Sequence, residues 1–317
     1  FREWPGDLIV LGVGGKMGPT LARMARRALE EAGREAVVYG VSRFSQPGLR
    51  EALEREGIRT IACDLLDREA VGRLPEAPNV IFMAGMKFGT TGAEATTWAQ
   101  NVWLPSLVAE RFRESRIVVF SSGNVYPLRP IAQGGATEAT PPEPIGEYAQ
   151  SVLGRERIFE YFSLRYGTPV LLFRLNYAVE LRYGVVLDVA QRLWAGEPID
   201  LTMGQVNVIW QGDANAYALR CLPLASSPPR ILNVTGPETI SIRYLAIRLG
   251  ELLGKEPRFV GEEADTALLS NAALAHGLFG YPTVPLEVIL RWVAHWVRIG
   301  GPTLNKPTHY EVRDGRF

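Results

Sequence analysis

Tyr148 is followed four residues later by Val152, and none of the 11 tyrosines in the chain has lysine at that spacing. Residues four apart on a helix share a face, so a lysine there would set an ammonium beside the phenol. That charge favours phenolate and makes tyrosine a usable acid/base near neutral pH. Alone, a phenol of pKa near ~10 is ionised in about one molecule per thousand at pH 7. Ser122 closes an apolar run, 117–121, and a hydroxyl at the end of a parallel strand lies where open α/β sheets bind ligands. Its role there would be to donate to a substrate oxygen. The chain thus offers two hydroxyl-bearing residues for proton chemistry and no lysine in register.

A second group of residues suits a dinucleotide. Leu8–Leu11 runs into Gly12-Val13-Gly14-Gly15-Lys16-Met17-Gly18, and a helix-compatible stretch begins at Thr20. Glycines at 12, 15 and 18 suit a tight turn, close approach of backbone to a pyrophosphate, and close helix–strand packing. The second apolar run ends at Val41-Ser42-Arg43. An acidic residue here would bind the ribose hydroxyls of NAD, whereas Ser42 and Arg43 suit a 2′-phosphate, so NADP is favoured and NAD is the alternative. Arg43 can also be read as a solvated loop residue. Asp64 follows the third apolar run and is expected to accept from the adenine amino group, while Asp67 caps the helix from Arg68.

The elements that must position these residues are legible as alternating runs. Residues 8–11, 36–41, 80–84 and 117–121 are strand-like, and 20–32, 48–56, 68–74 and 93–114 are helix-like. Nearly all-apolar strands alternating with helices predict a parallel, doubly wound α/β sheet of Rossmann type. Residues 127–146, rich in Pro, Gly, Ala and Thr, read as a long surface loop of functional or mobile character. A long helix, 147–165, and a strand, 170–175, follow. Beyond them the pattern is mixed and predicts a smaller α/β substrate-binding lobe. The expected division is a dinucleotide domain over 1–175, joined by about 205–235, and a substrate lobe over 176–204 and 236–317. The polar tail 306–317 is expected to be mobile or to pack as an arm.

Composition excludes several classes. The 34 basic and 34 acidic residues cancel, which argues against nucleic acid as the main partner. Two cysteines form no disulfide framework and no Cys-x-x-Cys site, and the three histidines have no ligand spacing, so no metal is expected. No apolar run approaches the roughly 18 residues of a membrane span, and the expected location is the cytoplasm. Arginine outnumbers lysine 30 to 4, which singles out Lys16, Lys87, Lys255 and Lys306 for inspection.

The order of Gly-x-x-Gly-x-x-Gly, Asp64-Leu65, Met83-Ala84-Gly85, Asn101, Ser121-Ser122-Gly123-Asn124-Val125-Tyr126 and Glu147-Tyr148-Ala149-Gln150-Ser151 resembles an extended short-chain dehydrogenase/reductase. More narrowly, it resembles the NAD-dependent epimerase/dehydratase group. Thr137-Glu138, Phe173-Arg174-Leu175-Asn176, Gln211-Gly212-Asp213 and Asn233-Val234-Thr235-Gly236 extend the resemblance over essentially the whole chain.

The resemblance implies that Tyr148 is the acid/base, that Ser122 is its hydroxyl partner, and that lysine belongs at 152. Two cations are candidate substitutes. Lys87, in a stretch similar to the Ala-Gly-Leu-Lys of galactose epimerases, is preferred; Arg155, seven residues after Tyr148, is expected to be solvated or at a dimer interface. The cofactor set is Gly12, Gly15, Lys16, Met17, Gly18, Ser42, Arg43, Asp64, Leu65, Ala84, Gly85, Lys87, Asn101, Ser121, Tyr148 and Leu175. For substrate it is Ser122, Asn124, Asn176, Tyr177, Trp210, Gln211 and Asn271.

Relatives that bind nucleotide-diphosphate sugars carry an arginine near position 206, which is valine here. The substrate expected is therefore a small polar molecule, a sugar or sugar derivative, acted on at a hydroxyl or carbonyl. Two other readings stand beside this oxidoreductase or epimerase. One is a dinucleotide-binding sensor or partner protein with little catalysis. The other is a non-redox lyase or dehydratase on a tightly held cofactor, with Glu138 or Glu147 as an extra base. Helices 93–114 and 147–165 resemble those that pair across a two-fold axis, so a homodimer is expected.

Overall fold

The computed structural model describes residues 6–87, 89 and 91–316. Phe1, the remaining residues to position 5, Phe88, Thr90 and Phe317 lie outside it, and with them the two ends of the expected domain ranges. The strands begin with β1 Leu8–Leu11, β2 Val38–Ser42, β3 Arg59–Ala62, β4 Asn79–Phe82 and β5 Arg116–Ser122. After them come β6 Arg129–Pro130, β7 Val170–Leu175, β8 Ala178–Val179, β9 Ile199–Asp200, β10 Gln205–Val206, β11 Ile209–Trp210 and β12 Arg230–Val234. Short strands β13 Ile240–Ser241, β14 Phe259–Val260 and β15 Thr266–Ala267 complete the set.

The main sheet has seven parallel strands in the order β12-β7-β5-β4-β1-β2-β3. Every residue of β1 and β4 is buried, as strands covered on both faces require. Helices α1 Gly18–Glu31, α2 Leu49–Arg55, α3 Arg68–Gly72, α4 Glu94–Trp98, α5 Leu104–Arg111 and α6 Gly146–Tyr166 connect these strands. In α1 a proline occupies the first turn, where no N–H is needed, and Leu21, Ala22, Ala25 and Leu29 form the buried stripe. This Rossmann-type α/β architecture is the fold class that the strand–helix alternation predicts.

Two compact units emerge. The first comprises the chain up to Ser121 with Gln150–Phe173 and Asn215–Leu232; its core joins β1, β4 and β5 through Ile9, Val80, Phe82, Ile117 and Phe159. The second comprises Ser122–Ala149, Arg174–Ala214 and the chain from Asn233 on. It differs from the expected substrate lobe by including the stretch after β5. Its core is built by α7 Val185–Ala195, α9 Ile242–Leu253 and α11 Leu286–Arg298, which pack on one another through Val189, Leu193, Leu245, Leu249 and Val293. Between these lie α8 Gln211–Cys221 and α10 Ala273–Phe279.

Two segments differ from the sequence reading, and a third takes one of the two forms it allowed. Residues 93–114 form α4 and α5 joined by a π-helical turn, Ala99–Trp103. Pro105 explains the break: it has no N–H for the carbonyl of Asn101, and its ring would clash there in a regular helix. Residues 127–146 are fixed rather than a free loop, because β6 pairs antiparallel with β15 and Ala136 N donates to Leu269 O at 2.8 Å. The tail packs as an arm, with Thr308 N and Oγ1 both donating to Asp188 (2.7 and 2.5 Å) and Tyr310 buried.

Candidate functional site

In the first unit the strand order reverses between β1 and β4, which are neighbours in the sheet though β2 and β3 separate them in sequence. The carboxyl ends of strands at such a switch point form the usual ligand crevice of open α/β sheets. Gly12 leaves β1 with φ +90°, and a methyl group there would lie 2.7 Å from Ala84 N and 2.8 Å from Ala84 Cα. The turn therefore closes against the end of β4 only because residue 12 has no side chain. A methyl on Gly18 would collide with the Val13 backbone, so α1 is held tight to the turn. Gly15 is exposed, and a methyl there would meet nothing nearer than Gly12 O at 3.4 Å, which leaves its backbone open to a ligand. Lys16 is half-buried and Met17 buried in the same turn. These residues fit the pyrophosphate of a dinucleotide.

At the end of β2, the Ser42 hydroxyl lies under Gly14 and accepts the Phe44 N–H at 3.3 Å; Arg43 is exposed. Asp64 is exposed and accepts the Leu66 N–H (3.0 Å), while Leu65 is buried. Asp67 caps α3 by accepting from Glu69 N and Ala70 N (2.9 and 3.1 Å).

Beyond β4, the stretch 83–87 is clamped by Asn101, which is fully buried in the π turn. Its Oδ1 accepts the Met86 N–H (2.9 Å), and its Nδ2 donates to Met86 O (2.9 Å) and Ser151 Oγ (2.9 Å). Lys87 is half-buried at the end of this stretch, and Ala84 and Gly85 precede the clamp. Ser121 donates to Glu156 at 2.5 Å, a buried pair that ties β5 to α6.

Arg155 departs from its expected place. It is 6% exposed rather than solvated; Nη1 donates to Phe120 O (2.8 Å), Nη2 donates to Asn101 Oδ1 (2.6 Å), and Cζ lies 5.5 Å from the centre of the Phe82 ring. Spacing along the helix puts its Cα two turns below Tyr148. The long stem points back toward the helix N-terminus and carries the guanidinium up to the end of β4.

In the second unit, Ser122 and Tyr148 are both buried, with Tyr148 in the first turn of α6. Ser122 Oγ donates to Asn124 Oδ1 (2.9 Å) and accepts the Asn124 N–H (3.2 Å). Asn176 packs beside Gly123 and donates from Nδ2 to Leu268 O (3.3 Å). Leu175 ends β7 half-buried. Tyr177 has φ +41°, a strained backbone for a bulky residue, and burial pushes its phenol far above the usual range.

A small cavity of about 30 Å³ is lined by Asn124, Tyr126, Tyr177, Met203 and Arg313 among others. Arg313, from the C-terminal arm, is a wall residue that no motif or spacing singles out. Its Nη1 donates to Thr266 O (2.7 Å) and its Nη2 to Thr266 Oγ1 (2.6 Å).

The other expected residues have structural surroundings. Trp210 stacks edge-to-face on Trp292 with centroids 5.2 Å apart, and Gln211 is buried at the start of α8. Asn271 Oδ1 accepts the Ala273 N–H (2.9 Å), and its carbonyl accepts from Asn233 Nδ2 (3.2 Å). Glu138 accepts the Asn233 N–H (2.9 Å), and Tyr126 donates to Asn233 Oδ1 (2.8 Å) beneath the Arg174 guanidinium. Burial pushes the Tyr126 phenol up. This Asn233 network is invisible in sequence because Tyr126 and Glu138 lie 107 and 95 residues from it.

Among the described residues there is no His, Cys, Asp and Glu cluster that would hold a metal ion, and no helix is long and apolar enough to cross a membrane.

Residues 8–179 match the model of the NAD dependent epimerase/dehydratase family. No curated protein matches the chain. Solved structures share the fold. UDP-glucose 4-epimerase from Thermotoga maritima, solved with UDP-glucose, is 20% identical with a TM-score of 0.76, over 93% of this chain and 99% of that one. MoeE5 in complex with UDP-glucose and NAD is 20% identical with a TM-score of 0.75, over the same shares. UDP-glucuronic acid 4-epimerase from Bacillus cereus, in complex with NAD, is 17% identical, with a TM-score of 0.76 over 92% of this chain and 96% of that one.

Proposed function

Because the chain belongs to the NAD dependent epimerase/dehydratase family, we propose that it is a nicotinamide-dinucleotide-dependent enzyme that oxidises, reduces or epimerises a hydroxyl-bearing carbon of a small sugar or sugar derivative. The observation that carries this reading is the closure of the Gly12 turn on Ala84, with Gly18 held against Val13, at the sheet's switch point. Gly12, Gly15 and Gly18 would hold the pyrophosphate, and Ala84, Gly85 and Asn101 would shape the adjoining edge. When bound, the nicotinamide supplies hydride exchange with the substrate carbon. Tyr148 would move the proton at the substrate oxygen, and Ser122 would hold that oxygen by turning its one hydroxyl proton from Asn124 Oδ1 to the substrate.

Arg43, exposed after β2, supports NADP, whereas the dinucleotide in the MoeE5 complex is NAD. Denaturing the purified protein and identifying the released dinucleotide decides between them. Turnover is tested on a panel of sugars, sugar acids and aldehydes with either cofactor. Tyr148→Phe is expected to reduce kcat at least about a hundredfold, and an unchanged kcat removes Tyr148 from the chemistry.

A second reading, a dinucleotide-binding protein with little catalysis, is favoured by one observation: position 152 is a buried valine. Dinucleotide binding without turnover on the full panel would select it. The exposed apolar residues Trp103, Tyr161, Leu164 and Tyr166, on α6 and the turn between α4 and α5, support a homodimer.

A further inference from the structure

We infer that Arg155 is the positioning cation of the dinucleotide edge, doing from below the strand end what lysine at position 152 would do from beside it. The inference rests on the dinucleotide-binding reading above and concerns only the first unit.

Position 152 cannot carry a charge in this chain, because Val152 is an apolar side chain only 1% exposed. One turn further along α6, Arg155 projects its guanidinium to the carboxyl ends of β4 and β5. Phe120 O and Asn101 Oδ1 fix two of its nitrogens, so its orientation is set by the fold and not by a ligand. Gly85 is where the guanidinium comes to rest. A methyl group on Gly85 would run straight into Nη2, and at 3.0 Å would also meet Cζ. The guanidinium therefore fills the space of the missing side chain, directly against the Gly85 backbone.

Gly85 is nonetheless exposed. A full positive charge thus lies one peptide thickness behind an open surface, at the strand end beside the Gly12 turn. Charge held there acts on whatever anionic or hydroxyl-rich group approaches the 84–86 backbone, since it is partly withdrawn from water and pre-oriented. Asn101 couples the two parts: the same Oδ1 that accepts from Nη2 also accepts the Met86 N–H. Arg155 therefore sets both the potential and the placement of this edge. It touches neither substrate nor reacting atoms, so it positions rather than reacts.

The test titrates NADH and NADPH, followed by nicotinamide fluorescence, against the wild type, Arg155→Met, Arg155→Gln and the double variant Val152→Lys/Arg155→Met. Thermal melts establish that each is folded. Arg155→Met and Arg155→Gln are expected to weaken the preferred dinucleotide roughly tenfold or more, as withdrawal of a fixed charge from behind the 84–86 backbone predicts. Gln keeps a polar amide in the same cleft without the charge, and it serves alone if the Met variant does not fold. Lysine at 152 is expected to recover most of the lost affinity in the double variant. Affinity unchanged in the folded neutral variants overturns the inference, and so does a folded double variant with no recovery. A wild type that binds neither dinucleotide would instead overturn the function proposed above.

Discussion

Replacing Asn101 by alanine removes four hydrogen bonds at the candidate dinucleotide edge. Its two amide atoms make four contacts, to Met86 N, Met86 O, Ser151 Oγ and Arg155 Nη2, and the side chain is fully buried. Truncation takes one partner each from a peptide N–H, a carbonyl and a guanidinium nitrogen. Each such group costs about 1–3 kcal/mol when left buried. The vacated space is about one amide in size, so an entering water would satisfy part of the loss. A net destabilisation of roughly 3–5 kcal/mol follows, a large fraction of the ~5–15 kcal/mol that holds a typical domain folded. At about 2–4 °C per kcal/mol, the melting midpoint should fall by roughly 6–20 °C. Asn101→Asp is the informative companion. It keeps both acceptor contacts, to the Met86 N–H and Arg155, can accept from the Ser151 hydroxyl, and loses only the donation to Met86 O, so about 1–2 kcal/mol is expected. Thermal and urea melts of the three proteins give the ordering. An alanine variant within about 2 °C of wild type, or an aspartate variant as damaged as the alanine one, would refute the clamp as described.

Two further outcomes are expected. Glu287 on α11 is hydrogen-bonded by Arg248 on α9 (2.6 and 3.1 Å) and by Arg291 (2.9 Å), which together hold its carboxyl down at about 2 from an ordinary 4.5. A depressed carboxylate pKa stabilises the fold above pH 4.5 and loses that contribution as pH falls toward 2. Glu287→Gln should therefore melt below wild type at pH 7, with the gap closing across that window; a gap independent of pH would show that the ion pairs carry none of it. Leu164, 62% exposed on α6, is expected to lie in the dimer contact. Leu164→Glu should shift the mass by light scattering from dimer to monomer with little change in melting at low concentration, and a monomeric wild type would rule the contact out.

Much of the first unit is legible in the sequence because its signals are local. A strand of four apolar residues followed by glycines at 12, 15 and 18 describes a turn that must be tight, and Gly12 and Gly18 are the positions where a methyl would strike backbone. Asp67 is legible for the same reason, since a cap reaches only two or three residues. Arg155 defeats the sequence reading because composition places arginines in water, and helix spacing fixes the position of a Cα but not the reach of a side chain. Arg313 escapes it because a C-terminal arm has no periodicity to say where it lies. The break in helix 93–114 is half visible: Pro105 announces a disturbance, but a π turn and a kink have the same sequence signal.

That π turn also sets the rotational phase of the helix beyond it. Each α-helical residue advances the chain by about 100° around the axis, and a π turn spends one residue more than an α turn. Seven ordinary helical residues would return Leu104 to the face of the buried Thr97 of α4, so the π turn offsets the buried face of α5, formed by Leu104, Leu107 and Val108, by roughly a quarter-turn from where an unbroken helix would put it. Deleting one residue other than Asn101 from 99–103 would therefore close the segment into regular α-helix with both flanking faces kept where they are, whereas a one-residue deletion within α5 would swing its apolar face by roughly 100°. The π turn is thus the place along this helix where the chain can lose one residue without rotating the apolar face. Natural variants of this chain can be expected to tolerate the loss of one residue at Gln100 or Trp103 far better than one within Leu104–Arg111, where the buried residues beyond the deletion would rotate off their contacts.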